Sequence, residues 1–378
     1  MKIVLAPDSF KGSLTAPEVC DAIARGLRRA LPHADVVARP MADGGEGTLD
    51  AVLAAVGDRG TREREELTGA AGDRVDAAYG VIDGTTAVIE VAQIVGITDP
   101  AGMRAHVEDR STRGVGELVA HLLDRGVRRF MVGLGGSSTN DGGSGLLQAL
   151  GARLRDAAGR DVAATPRGLA SLASVDVATL DPRLPSCEIA VMSDVDNPLC
   201  GAMGATAIFG PQKGVQAADV ARIDGVLRSF AGLLEAALAR PVAERGGSGA
   251  AGGLGFALQL LGADVRSGAE VVAELVRLDD AIAGAQWVVT GEGRSDRQTL
   301  LSKAPFVVAR HAKTLGVPTV LLSGAVDADA MADLHLHFAG CFALPNGPMT
   351  LAECIRDAGA LLAARAEALG RVIGAAVK

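Results

Sequence analysis

The chain has no surplus of positive charge. Its 378 residues carry 37 Lys and Arg against 45 Asp and Glu, a net charge of −8. That balance argues against nonspecific binding to nucleic acid or to an anionic membrane surface, although a local site can still take an anion. Long apolar runs are also missing: none approaches the ~18 residues a membrane span needs. The opening MKIVLAPD is too short and too quickly acidic for a secretory signal. Cysteine is sparse. Residues 20, 187, 200, 341 and 354 form no CxxC pair, so they read as small buried hydrophobes in a reducing cytoplasm. There is no Walker GxxxxGK[ST] and no GxSxG. One GxGxxG occurs, at Gly247–Gly252, but it follows no strand and fails the dinucleotide-binding context. His335 and His337 alternate without the acids or cysteines that a zinc site requires.

What is abundant is glycine: 49 residues, about 13% against a usual ~7%. The glycines cluster without a three-residue period, so they mark loops with special backbone angles rather than collagen. Between them recur short β-branched runs: Lys2–Ala6, Ala34–Arg39, Ala87–Ala92, Arg129–Leu134, Glu188–Met192, Trp287–Thr290, Thr319–Leu322 and Phe338–Leu344. Runs of this length and continuous apolar character suggest buried parallel strands. Helical patterns separate many of them, so the class is α/β. Thr15–Glu18 and Thr350–Glu353 are capping boxes, the second expected to start the last helix. Ile223, Leu227, Phe230, Leu234 and Leu238 mark a long central helix, and Val115, Leu118, Val119 and Leu122 another that stops near Gly126. Asp73–Ala92 looks like a hairpin turning at Asp83–Gly84. A discontinuous arrangement fits: residues 1–65 with 285–378 form one α/β domain, and residues 66–284 form an inserted one.

Strand after strand runs into a polar, glycine-bearing loop. These are Asp8–Ser13, Gly135–Gly143, Asp194–Asn197 and Gly291–Asp296. In open parallel sheets ligands bind beyond the carboxyl ends of strands, so these loops are expected to converge. Gly133–Gly145 has the character of a phosphate cradle, since glycines let backbone N–H groups turn toward an anion. Asp194 and Asp196 project to one side if the chain there is extended. Magnesium needs one or two such carboxylates plus phosphate oxygens and water. Lys11, Lys213 and Lys303, each in a tight loop, are cations able to offset charge on a moving phosphoryl group. For any one of these residues, a helix cap or a solvated surface charge is a competing reading.

Seven ordered segments resemble the signatures of bacterial type I glycerate kinases. They are Asp8–Ser13, Ala42–Gly47, Gly135–Gly143, Asp194–Cys200, Phe209–Gly214, Gly249–Gly255 and Thr290–Arg294 followed by Asp296, Gln298 and Thr299. The resemblance runs nearly end to end. It implies two α/β domains, one Rossmann-like with a mostly parallel sheet and the other mixed, with the active site in the cleft between them. It implies transfer of the ATP γ-phosphate to D-glycerate, giving 2-phosphoglycerate, with Mg²⁺, in a cytoplasmic monomer or homodimer that binds neither nucleic acid nor membrane. Kinases for other small hydroxy acids, and a non-catalytic sugar-acid sensor, are the alternatives. Within that reading, Asp194 is favoured as general base, with Asp43 and Asp296 close rivals and Lys11 assisting. Asp8, Asp196 and Glu292 are candidate magnesium ligands. Ser9, Lys213, Arg294 and Asn197 are candidates for glycerate. Gly135, Gly136, Ser137, Ser138, Thr139, Asn140, Gly252, Gly253 and Lys303 are candidates for nucleotide phosphates. Two departures stand out: Ser302 where the family often has glycine, expected to narrow a close backbone approach, and Ser295 where a larger aliphatic residue is common, expected to matter little.

Overall fold

The computed structural model describes residues 1–376. The chain divides into two compact units. One comprises Met1–Asp43, Gly47–Asp58 and the chain from Ser267 onward; the other comprises Gly44–Glu46 and Arg59–Arg266. Residues 267–284, expected in the inserted part, thus join the terminal unit. There the helices Gly268–Leu275 and Leu278–Ile282 pack on the helix Ala304–Thr314.

The terminal unit is built on a five-stranded sheet in the order Gly340–Ala343, Thr319–Ser323, Trp287–Thr290, Lys2–Leu5, Asp35–Ala38. Every pairing is parallel. Numbered along this unit, the order is 2-1-3-4-5, that of a doubly wound sheet, with its reversal between Lys2–Leu5 and Trp287–Thr290. The three central strands, Lys2–Leu5, Trp287–Thr290 and Thr319–Ser323, are covered on both faces, which is why they read as unbroken apolar runs. Val320 and Leu322 join Ile3, Leu5, Val19, Ile23 and Leu27 on one side. Leu321 points the other way, toward Ala309, Leu334 and Phe338. The helix Ala16–Ala30 begins at the expected Thr15–Glu18 box and lies against Ala358–Ala376. The Thr350–Glu353 box also forms, but it caps a short helix, Leu351–Arg356. The last helix is Ala358–Ala376.

The other unit holds a six-stranded mixed sheet in the order Asp264–Arg266, Glu188–Met192, Arg129–Gly133, Thr86–Glu90, Arg74–Ile82, Gly60–Thr68. The first four strands are parallel and the last two pair antiparallel. The expected hairpin turns at Asp83 and Gly84, with φ of 50° and 69°, in a three-residue loop between the paired Ile82 and Thr86; positive φ is what aspartate and glycine tolerate in such turns. All eight expected strands form, with ends within two residues of those read from the sequence. No described helix is long and apolar enough to cross a membrane.

One charged cluster in the terminal unit has a stability consequence. His311 lies between two carboxylates: its Nδ1 is 2.7 Å from Asp279 Oδ1, and its Nε2 is 3.1 Å from Glu270 Oε2, which Arg310 also pairs. Ionised carboxylates only accept, so both ring nitrogens must donate and the ring is an imidazolium. Burial pulls its pKa down, but the bonds to Asp279 and Glu270 outweigh that and leave it raised. A raised folded-state pKa gives stability that is fully present below the unfolded value of about 6.5 and fades as pH rises through the folded value. Urea midpoints at pH 6 and pH 8.5 will fall further for the wild type than for His311→Gln. Equal falls overturn the assignment.

Candidate active site

Four chain segments meet at the reversal point of the parallel sheet. Strand Lys2–Leu5 leads into Asp8, Ser9 and Lys11; strand Trp287–Thr290 leads into Glu292 and Arg294; Asp43 follows strand Asp35–Ala38; Lys303 opens the helix Ala304–Thr314. Backbone bonds lock the first two loops together. Asp8 N–H donates to Gly291 O at 2.8 Å, and Thr290 Oγ1 donates to Ala6 O at 2.7 Å. Asp8, Ser9, Lys11, Asp43, Glu292, Arg294 and Lys303 all line one cavity of about 720 Å³, within the size range of small-molecule sites. An apolar wall from Leu344, Pro345, Met349, Leu351, Cys354 and Ile355 also lines it. Nothing in the sequence singled out those residues, because apolar side chains at helical spacing read as ordinary core.

The carboxylates here are not surface acids. Asp8 is pushed up to about 7, first by burial and then by the charge of Asp43, against the lowering influence of the Ser9 N–H and Lys11. That N–H donates to Asp8 Oδ1 at 2.6 Å and fixes its orientation. Lys11 Nζ stands 3.8 Å from Asp43 Oδ2. Glu292 is also buried, and burial raises its pKa. Its Oε1 accepts from Thr299 Oγ1 at 2.6 Å and Ser295 Oγ at 3.0 Å, while Lys303 Nζ lies 3.8 Å from Oε2. Ser295, expected to matter little, is thus fully buried and holds Glu292 in place, with Ser323 Oγ behind it at 2.8 Å. An aliphatic residue there would leave that carboxylate one donor short.

Two expected participants have other attachments. Asp296 caps the turn Arg297–Leu300, accepting from Gln298 N–H at 2.8 Å and forming a capping box with Thr299. Arg294 is exposed and stands 3.4 Å from Asp327. Ser302, immediately before Lys303, has φ of 66°. Glycine suits that position because of the left-handed backbone. Serine there costs ~1 kcal/mol of backbone strain.

In the other unit, Gly135 and Gly136 are exposed, whereas Ser137, Ser138, Thr139 and Asn140 are buried. Ser138 Oγ donates to Val95 O at 2.9 Å, and Asn140 Nδ2 to Thr206 Oγ1 at 3.0 Å. Lys213, 2% exposed, donates from Nζ to Ser137 Oγ at 3.0 Å and Thr139 O at 2.8 Å. It therefore underpins the loop rather than standing open to solvent. Gly252 and Gly253 are buried beneath the same loop, where Gly142 N–H donates to Gly252 O at 2.9 Å. Asp194 and Asp196 are exposed, and Asn197 Nδ2 donates to Met203 O at 2.7 Å. Arg110, which the sequence reading passed over, is buried beside Ser138 and Lys213 and donates to both their carbonyls at 3.0 Å.

Comparison with known proteins agrees with this architecture. Residues 3–374 match the glycerate kinase family. The chain is 41% identical over 361 residues to the glycerate 2-kinase of Escherichia coli (strain K12), covering 95% of this chain and 94% of that protein. It is 40% identical over 380 residues to the glycerate kinase of Bacillus subtilis (strain 168), covering 100% and 98%. Among solved structures it matches a candidate glycerate kinase 2 from Salmonella typhimurium LT2 at a TM-score of 0.89 and 42% identity, over 100% of this chain and 99% of that one.

Proposed function

The chain belongs to the glycerate kinase family, and from that premise we propose that this kinase transfers the γ-phosphoryl group of ATP to D-glycerate, forming 2-phosphoglycerate, with magnesium entering on the nucleotide. The observation that carries the reading is the pairing of Asp8, Asp43 and Glu292 with Lys11 and Lys303 in one cavity at the reversal point of a parallel sheet. Phosphoryl transfer asks little covalent chemistry of a protein; it asks for positioning and charge neutralisation.

The donor set suits magnesium that arrives with phosphate oxygens and water. Among the described residues no three His, Cys, Asp or Glu side chains form a ready-made cage, and magnesium on a nucleotide needs only one or two carboxylates. Asp43 and Glu292 are the proposed protein ligands, and the ion supplies neutralisation of the phosphate oxygens. Asp196, exposed in the other unit, has no comparable partner carboxylate in this cavity.

Asp8 replaces Asp194 as the favoured base. A carboxyl raised to about 7 and held by the Ser9 N–H has the proton affinity to take the glycerate hydroxyl proton as the oxygen attacks phosphorus. Asp43 is its nearest rival; Asp296 is occupied as a cap. Lys11 and Lys303, each paired loosely at 3.8 Å, can swing to phosphate oxygens with little lost. The apolar wall gives a nucleobase a dry surface. Gly135–Asn140 provides a second place for an anion.

Phosphorus NMR of a reaction with D-glycerate, ATP and MgCl₂ tests the reading. A phosphomonoester doublet is expected, because the phosphorus of 2-phosphoglycerate couples to a single methine proton. A triplet would place the phosphate on the methylene carbon and overturn the regiochemistry. No ADP formed with D-glycerate would overturn the substrate.

A further inference from the structure

Beneath the loop Gly135–Asn140 the fold buries two cations and one carboxylate. Arg110 and Lys213 are each 2% exposed and Asp141 is fully buried. The Arg110 guanidinium makes no ion pair among the described residues. It donates only to carbonyls: those of Met103, Ala105, Ser138 and Lys213, at 2.9–3.1 Å. Asp141 is already saturated, by Thr112 N–H and Oγ1 at 2.8 Å and by the Gly143 and Gly145 N–H groups at 3.1 Å. Lys213 Nζ has only the neutral oxygens of Ser137 and Thr139. With Lys213 protonated, the cluster carries one positive charge more than it can pair. An uncompensated charge at this depth is costly.

A second observation points to a ligand. Thr139 Oγ1, a hydroxyl able to donate, is fully buried and has no hydrogen-bond partner. The Ser138 and Thr139 carbonyls turn toward the cations. The N–H groups of Thr139 and Asn140 meet no backbone acceptor among the described residues. The loop reaches solvent at Gly135 and Gly136.

We propose that Gly135–Asn140 is an oxyanion site whose occupancy is coupled to protonation of Lys213, so that the site takes up its anion and a proton together. The inference rests on the kinase reading above and deepens it. The occupant is the carboxylate of the hydroxy acid or a phosphate of the nucleotide, which share this chemistry. Lys213 and Arg110 act as positioning residues: they hold the loop by its oxygens and touch the anion only through it. Burial, with Arg110 adding to it and Asp141 opposing, brings Lys213 down to about 7 in the empty site. Those two are the charged groups that bear on Lys213, from the segment after Val107–Asp109 and from the loop itself. An anion above the loop raises Lys213 again. Affinity is then flat in pH below the empty-site value and falls up to tenfold per pH unit above it, until the bound-state value is passed.

The test is calorimetric titration of the full chain at pH 8 in buffers of different ionisation enthalpy, with D-glycerate alone and with MgADP alone. Uptake approaching one proton is expected for whichever ligand seats in the loop, and the arm showing it identifies carboxylate or phosphate. Lys213→Arg, permanently charged, should still bind but take up no proton. The wild-type proton count stands by itself should that variant misfold. Binding without proton uptake in both arms, or unchanged uptake in Lys213→Arg, overturns the coupling. Turnover measured on the same preparation separates the two readings: normal turnover with proton-neutral binding sinks the coupling alone, whereas absent turnover and absent glycerate binding sink the glycerate reading.

Discussion

Asp8→Asn will lower kcat by ~10²–10⁴-fold, the usual worth of a general base, and will leave the protein folded and more stable than before. The two effects share a cause. Asp8 is buried near Asp43 and its carboxyl is raised to about 7. A carboxyl with a folded-state pKa above its unfolded value opposes folding once pH exceeds the unfolded value, increasingly so until about pH 7. Asparagine keeps the shape and the capacity to accept the Ser9 N–H, but it neither ionises nor takes a proton. Activity lost and thermal stability gained together at pH 7 mark a group retained for chemistry at a cost to the fold. Asp296→Ala should show the reverse pattern of stability, losing ~1 kcal/mol with its cap. If Asp8→Asn turns over within tenfold of wild type, the base is another carboxylate, and Asp43→Asn is the next variant.

The second large effect is structural. Gly252→Ala will destabilise the chain by about 3–5 kcal/mol, combining left-handed strain with overpacking. Gly252 has φ of 68°, and a methyl group there would lie 2.1 Å from Thr139 O and 2.6 Å from Asn140 Cα. Neither obstacle can move cheaply. Thr139 O receives Lys213, Ser138 N–H is tied to Val95 O, and Gly142 N–H is tied to Gly252 itself. Gly12→Ala is the control: its φ is 82°, yet nothing lies within 4 Å of the added carbon, so only ~1 kcal/mol of strain is expected. Equal urea midpoints for the two variants would falsify the close-packing account. The glycines of 247–253, which resembled a dinucleotide fingerprint, are there in part so that one loop can lie directly on another.

Much of the scaffold was legible because its signals are local. Apolar runs gave the parallel strands, and both capping boxes formed as written. The strand Gly60–Thr68 was not legible. Its sequence, GTREREELT, is rich in charge, as an edge strand must be to resist pairing with another chain. The expected boundary at residue 65 fell inside it for that reason. At the site, acids and lysines at strand ends were found because position in an α/β sheet is itself a signal. Arg110 escaped because it follows Glu108 and Asp109, a run that reads as solvated charge, and only the fold turns it inward. Lys213 was found as a cation but not as a buried one. Depth is a property of long-range packing, and no residue pattern near it reports that.

The parallel pairing of Ile3 with Trp287 sets the order in which the molecule can be made. A chain synthesised from its N-terminus at roughly 5–20 residues per second waits on the order of 15–60 s between the first of these strands and the second. Until then Lys2–Leu5 has only Asp35–Ala38 beside it, and two strands do not stand alone in water. The helix Ala16–Ala30 waits longer still, because the helix that covers it is Ala358–Ala376. Arg59–Arg266 meanwhile contains all six strands of its own sheet and can close first. Val19, Ile23 and Leu27 therefore spend nearly the whole of translation as an uncovered apolar stripe, the feature that chaperones bind on nascent chains. Slowing the ribosome anywhere between these two helices lengthens that exposure.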